Sequence, residues 1–102
     1  MALFDKFNPS IDPSVSRIPV HQFAGGINLL ADGDITRGQF DAALGLEASD
    51  DAQMDDLVAL YNAKATAVLK LAFLVKIHST IMLQEQGMIT DVQSKNFLGV
   101  TA

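Results

Sequence analysis

Apolar residues recur at helical spacing along most of the chain beyond Pro19. Val20, Phe23, Ile27 and Leu30 share one helix face, and the stripe stops before Gly33. Pro19 suits the first position of that helix. A short second helix is expected over Arg37–Leu44. Met54, Leu57, Val58 and Tyr61 mark a third, with Ser49 as its expected N-cap and Asp50 and Asp51 in a first turn that favours carboxylates. The next segment, about 65–86, is apolar on most sides (Val68, Leu69, Leu71, Phe73, Leu74, Val75, Ile77, Ile81, Met82, Leu83). A helix apolar nearly all round is a buried one. It is therefore either the central helix of a bundle or a helix with one face covered by another chain. A fifth helix is expected over Asp91–Leu98. The pattern predicts an all-α fold: a small bundle of about five helices over residues 19–102.

Residues 1–18 read differently. All three prolines (Pro9, Pro13, Pro19) fall in the first 19 residues, and no helical period precedes them. The segment is expected to be an extended N-terminal arm. It is too apolar for a floating tail, because it carries Leu3, Phe4, Phe7, Ile11, Val15 and Ile18. It can fold back on its own domain or dock on a neighbouring chain. The expectation adopted is docking in trans, with Leu3, Phe4, Phe7 and Ile11 as the partner-binding residues.

Within the helical part, residues 21–46 and 75–100 align at a constant offset. Identical pairs are Ile27/Ile81, Leu29/Leu83, Gly33/Gly87, Ile35/Ile89, Thr36/Thr90, Gln39/Gln93, Leu44/Leu98 and Gly45/Gly99. Each pair has a structural job in a helix–turn–helix unit. Gly33 and Gly87 stand where a helix stops in the left-handed conformation. Thr36–Gln39 and Thr90–Gln93 are capping boxes, and Gly45 and Gly99 end the short second helix. Ile35 and Phe40 form a hydrophobic staple in the first copy; Ser94 removes it from the second. Gly25-Gly26, unfavourable inside a helix, suggests close approach of another helix.

Asp32-Gly33-Asp34 also resembles part of an EF-hand calcium loop. A working loop needs oxygen ligands at its first and third positions and a bidentate Glu at the twelfth. Asn28, Leu30 and Gln39 stand there, and Met82, Gln84 and Gln93 in the second copy. No metal site is expected.

Composition narrows the function. At 102 residues with about half the positions apolar, the chain is one domain with enough material for a core. There is no cysteine, hence no disulfide or thiolate ligand. A net charge of −5 argues against nucleic-acid binding. The longest unbroken apolar run, Leu71 to Val75, is far shorter than the roughly 20 residues that span a bilayer. The start of the chain lacks the basic region of a signal peptide. No membrane association is expected, and synthesis in a cytoplasm is.

No residue set suggests catalysis, a cofactor or a small-molecule substrate. His21 and His78 are far apart in sequence, and His78 reads as a hydrogen-bonded structural histidine. Glu47, Asp50, Asp51, Asp55 and Asp56 cluster at one helix start, as a solvated, dipole-favoured cap. Asp51 and Asp55, one turn apart, could instead share a cation.

Leu29-Leu30-Ala31-Asp32-Gly33-Asp34-Ile35-Thr36-Arg37 and Phe73-Leu74-Val75-Lys76-Ile77-His78, followed by Gly87 and Ile89-Thr90, resemble short helical proteins of the structural-gene modules of tailed bacteriophages. The resemblance covers residues 21–100 and rests on capping motifs. It implies a non-enzymatic virion subunit of a tail, baseplate, fibre or connector. Its partners would be other virion proteins and copies of itself. A phage assembly chaperone or a small helical protein-binding module is the alternative.

Overall fold

The computed structural model describes residues 2–11 and 18–102, and among them the chain is all-helical. An N-terminal 3₁₀ helix, Leu3–Phe7, precedes α1 (Val20–Ala31) and α2 (Arg37–Leu44). A 3₁₀ turn, Ala48–Asp50, leads into α3 (Asp51–Asn62), and α4 (Ala67–Glu85) and α5 (Asp91–Leu98) complete the bundle. Pro19 is the N-cap of α1, one position before the helix itself. The expected N-cap of α3 shifts as well. Glu47 caps the 3₁₀ turn, and its backbone N–H donates to Asp50 Oδ2 at 2.8 Å.

The two copies of the helix–turn–helix unit share their hydrogen bonds residue for residue. Thr36 and Thr90 close capping boxes with Gln39 and Gln93. The Asp34 N–H donates to the Leu29 carbonyl at 2.9 Å, and the Met88 N–H to the Leu83 carbonyl at 3.0 Å. These bonds wrap the stops at Gly33 and Gly87, whose φ angles are +79° and +76°.

The copies diverge in a compensated way. A Cβ on Gly26 would lie 2.5 Å from Phe40 Cε2, so the close approach expected at the glycine pair is that of α1 to the Phe40 ring. The equivalent pair in the second copy is Thr80 and Ser94, both buried. A small residue facing a large one has become two of middling size. The N-terminal 3₁₀ helix packs on α5, α3 and α4.

That packing corrects the arm. Residues 2–11 are not extended over the surface: Leu3, Phe4 and Phe7 are 0 % exposed and Ile11 is buried. Phe4, Phe7, Phe23 and Phe40 form a continuous chain of ring contacts at 5.4–6.2 Å. Polar side chains fix the segment from both sides. The Phe4 N–H donates to Gln53 Oε1 at 2.9 Å, and its carbonyl accepts from Gln84 Nε2 at 2.7 Å. Lys6 Nζ lies 2.6 Å from Asp50 Oδ2, and that carboxylate is wholly buried. A proline-rich stretch with no helical period can still supply one 3₁₀ turn before its first proline, and its aromatics complete the core. Val15 lies outside the described residues.

Candidate interaction surface

α4 is not buried all round. Phe73, Ile77, Thr80, Ile81 and Gln84 face the core, giving a stripe of period 3.6. The opposite face carries Val68, Leu71, Val75 and Met82, with Val68 76 % and Leu71 61 % exposed. Small residues, Ala72 and Ser79, lie between them and are exposed too. Leu69 and Leu83 extend this face on one side. On the turn and on α5, Met88, Val92 and Phe97 are exposed as well. Exposed large apolar side chains in this number make the outer side of α4 a candidate interaction surface. α4 packs on α1, α3, α5 and the N-terminal 3₁₀ helix, as a central helix does, but it also presents an outward apolar face.

The duplication supplies an internal control. At the offset of the repeat, Val75, Met82, Met88, Val92 and Phe97 correspond to His21, Asn28, Asp34, Gly38 and Ala43. The same backbone geometry is built in the first copy with polar or small residues at all five positions. The fold therefore does not require these apolar side chains. Only the exposed Leu29/Leu83 pair keeps its apolar character in both.

Charge is distributed unevenly around the surface. Between residues 63 and 84 the only formally charged side chains are Lys64, Lys70 and Lys76. Lys64 sits over the Phe73 ring at 4.7 Å and Lys70 over the Tyr61 ring at 5.6 Å, leaving Lys76 as the exposed cation beside the apolar stripe. α4 is also, by length and composition, long and apolar enough to cross a membrane: its best window has a mean hydropathy of 1.4 and is 28 % buried. Counting only unbroken apolar runs misses this, because single lysines and a histidine interrupt the stretch. In the fold, α4 is committed along one face to α1, α3, α5 and the N-terminal 3₁₀ helix.

The residues singled out for chemistry occupy other places. The acidic cluster does hold a cation, and it is a side chain of the chain itself. Arg37 reaches Asp55 at 2.7 Å, Asp41 at 3.1 Å and Asp51 at 3.3 Å, tying α2 to α3. Burial alone would lower the Arg37 pKa, but hydrogen bonds to Asp55 and Asp41 and their charges hold it above its ordinary value. Asp56 pins the C-terminus, accepting from the backbone N–H groups of Thr101 at 3.1 Å and Ala102 at 3.0 Å. Asn28, at the first position of the calcium-like loop, accepts from the Tyr61 hydroxyl at 2.7 Å. His78 is hydrogen-bonded, as read, and its partner is His21: Nε2 and Nδ1 are 3.0 Å apart and the rings stack at 4.8 Å. A separation of 57 positions hid that pairing. Among the described residues no three His, Cys, Asp or Glu side chains are grouped to hold a metal.

Leu3, Phe4, Phe7 and Ile11, taken from sequence as partner-binding, are inside the core of their own chain and offer no surface. The exposed apolar side of α4 is the candidate surface instead. Its signal was present in the sequence as an over-long, over-apolar helix. Compared with known protein families, curated proteins and solved structures, the chain matches none.

Proposed function

We propose that the chain is a non-enzymatic structural subunit that binds neighbouring polypeptides through the exposed apolar side of α4. The observation that carries this reading is the asymmetry of the repeat. One copy folds with His21, Asp34, Gly38 and Ala43 exposed and Asn28 half-buried, whereas the other exposes Val75, Met82, Met88, Val92 and Phe97. Exposed side chains of this kind favour association and contribute nothing to the unit's own core. The resemblance to small helical proteins of tailed-phage structural modules makes a virion the setting of this proposal, in a tail, baseplate, fibre or connector region.

The test is the protein inventory of purified phage particles encoding the chain, for the wild type and for a Val75→Glu variant. A virion subunit is present at fixed stoichiometry, and Val75→Glu removes it while leaving the isolated chain folded. Absence of the wild type from particles, with retained binding to a particle protein during assembly, identifies an assembly chaperone instead. Unchanged incorporation of Val75→Glu contradicts the assignment of the face.

A further inference from the structure

The only two histidines of the chain meet where α1 packs on α4. His21 stands in the first turn of α1 and is exposed, and His78 stands in the second half of α4 and is half-buried. Nδ1 of His21 and Nε2 of His78 are 3.0 Å apart, with the ring centroids at 4.8 Å. At that distance one nitrogen donates and the other accepts. The approach is set by the core beneath the rings, where Phe23 and Ala24 of α1 and Ile77 and Ile81 of α4 are all buried. The fold has no need of imidazoles here. At the offset of the repeat His21 corresponds to Val75 and His78 to Ala24, so the same unit is built with an apolar residue at each position.

Two imidazole nitrogens held face to face on separate helices have the spacing of a chelate. With nitrogen–metal bonds of about 2.05 Å, nitrogens 3.0 Å apart subtend about 94° at a shared ion. That is the angle between neighbouring ligands of a tetragonal or octahedral ion, whereas a tetrahedral pair needs its nitrogens about 3.3 Å apart. Among the divalent ions that imidazole binds, Cu²⁺ takes tetragonal geometry and has the highest affinity for such ligands. The proton shared by the two rings moves to the outer nitrogen of the ring that donates it, and both lone pairs then turn to the metal. Exposure of the pair leaves the remaining coordination positions to water. One turn beyond His21, Gly25 has nothing within 4 Å of where its Cβ would stand.

We propose that His21 Nδ1 and His78 Nε2 form a chelating site for a divalent late transition-metal ion, with Cu²⁺ the best fit. The bound ion clamps α1 to α4. Because the two nitrogens come together only in the folded chain, the ion stabilises the native state in proportion to its concentration.

The experiment titrates Cu²⁺ alone into the full chain near neutral pH in a non-coordinating buffer. Calorimetry gives the stoichiometry and affinity, electron paramagnetic resonance the ligands, and thermal melts the stabilisation. The wild type is expected to take up one equivalent, to show splitting from two imidazole nitrogens, and to melt at a higher temperature as Cu²⁺ rises. His21→Asn and His78→Asn are each expected to lose that rise and to bind at least about tenfold more weakly, since the second ligand of a chelate acts at a high effective concentration. Melts in excess chelator verify that the variants fold, with His21→Gln and His78→Gln as substitutes, and the resonance spectrum of the wild type tests the ligand pair without any variant. A wild-type midpoint that Cu²⁺ leaves unmoved overturns the proposal. So does a spectrum with fewer than two nitrogens, or an affinity equal in the wild type and both variants, which identifies an adventitious ion only.

Discussion

Phe4→Ala is the substitution that measures how the N-terminal segment is held. The ring is fully buried, in edge contact with Phe7 at 6.2 Å, and Phe7 in turn meets Phe23 at 5.4 Å. The backbone of residue 4 keeps its bonds to Gln53 and Gln84 whatever its side chain, so the change removes packing and leaves the polar clamp in place. Truncating a buried Phe costs about 3–5 kcal/mol, the lost transfer free energy plus the cavity left behind. A domain of this size has roughly 5–15 kcal/mol in total. The variant should therefore lose at least about a fifth of its stability, and its melting midpoint should fall by at least about 12 °C. Urea unfolding followed by circular dichroism gives the value directly, with an unchanged slope showing that the unfolding unit is the same. A loss below about 0.5 kcal/mol, the level of a surface substitution, would refute the cis-packed segment and return Leu3, Phe4 and Phe7 to the surface. Deletion of residues 2–11 should be worse still, because it leaves the buried Asp50 carboxylate without Lys6.

Three further outcomes are expected. Gly26→Ala drives a Cβ into the Phe40 ring and should cost about 1–3 kcal/mol, whereas Gly25→Ala meets open space and should stabilise by roughly 0.5–1 kcal/mol; paired urea titrations decide both signs. Thr36→Ala and Thr90→Ala each remove a capping-box acceptor and should each cost about 1 kcal/mol, and equal losses in thermal melts would show that the two copies are energetically equivalent. Burial, and then the charge of Asp32, raise the Tyr61 phenol above its ordinary pKa, so the folded state keeps that proton longer than the unfolded chain. Its contribution is complete below about pH 10 and is lost as pH rises further; a wild-type urea midpoint that falls between pH 9 and 11 no faster than that of Tyr61→Phe would contradict this.

The local elements were legible in the sequence because their signals are local. α2 and α5 run over the residues expected, since Thr36, Gln39 and Gly45, and their counterparts Thr90, Gln93 and Gly99, are start and stop signals within one short helix. The third helix begins one residue later than its sequence suggests, after Asp50, because a 3₁₀ turn capped by Glu47 precedes it. What depends on long-range packing was not legible. Nothing near Phe4 in sequence announces Gln53 or Gln84 as its partners, and the pairing of His21 with His78 needs α1 and α4 side by side. The acids at 51 and 55 read as a solvated cap because Arg37 is more than a dozen residues away in the chain. The interaction surface was half legible. The excess of apolar residues on α4 is plain, but which of them face outward depends on where α1, α3, α5 and the N-terminal segment pack. Apolar residues in a proline-rich stretch suit a docking arm and a core insertion equally well, so the sequence alone does not separate the two for Leu3, Phe4 and Phe7.

The central claim is that the exposed apolar side of α4 is covered by polypeptide in the working state of the protein. The absence of native cysteine permits a direct measurement. Val75→Cys places a single thiol in the middle of the exposed stripe, and Ala52→Cys, on the exposed side of α3, serves as control. The rate of maleimide labelling is measured for each, in the isolated chain and in the assembly recovered from its native source. The account predicts that Val75→Cys labels rapidly in isolation and many-fold more slowly in the assembly, while Ala52→Cys changes little. Equal labelling of Val75→Cys in both states would contradict it.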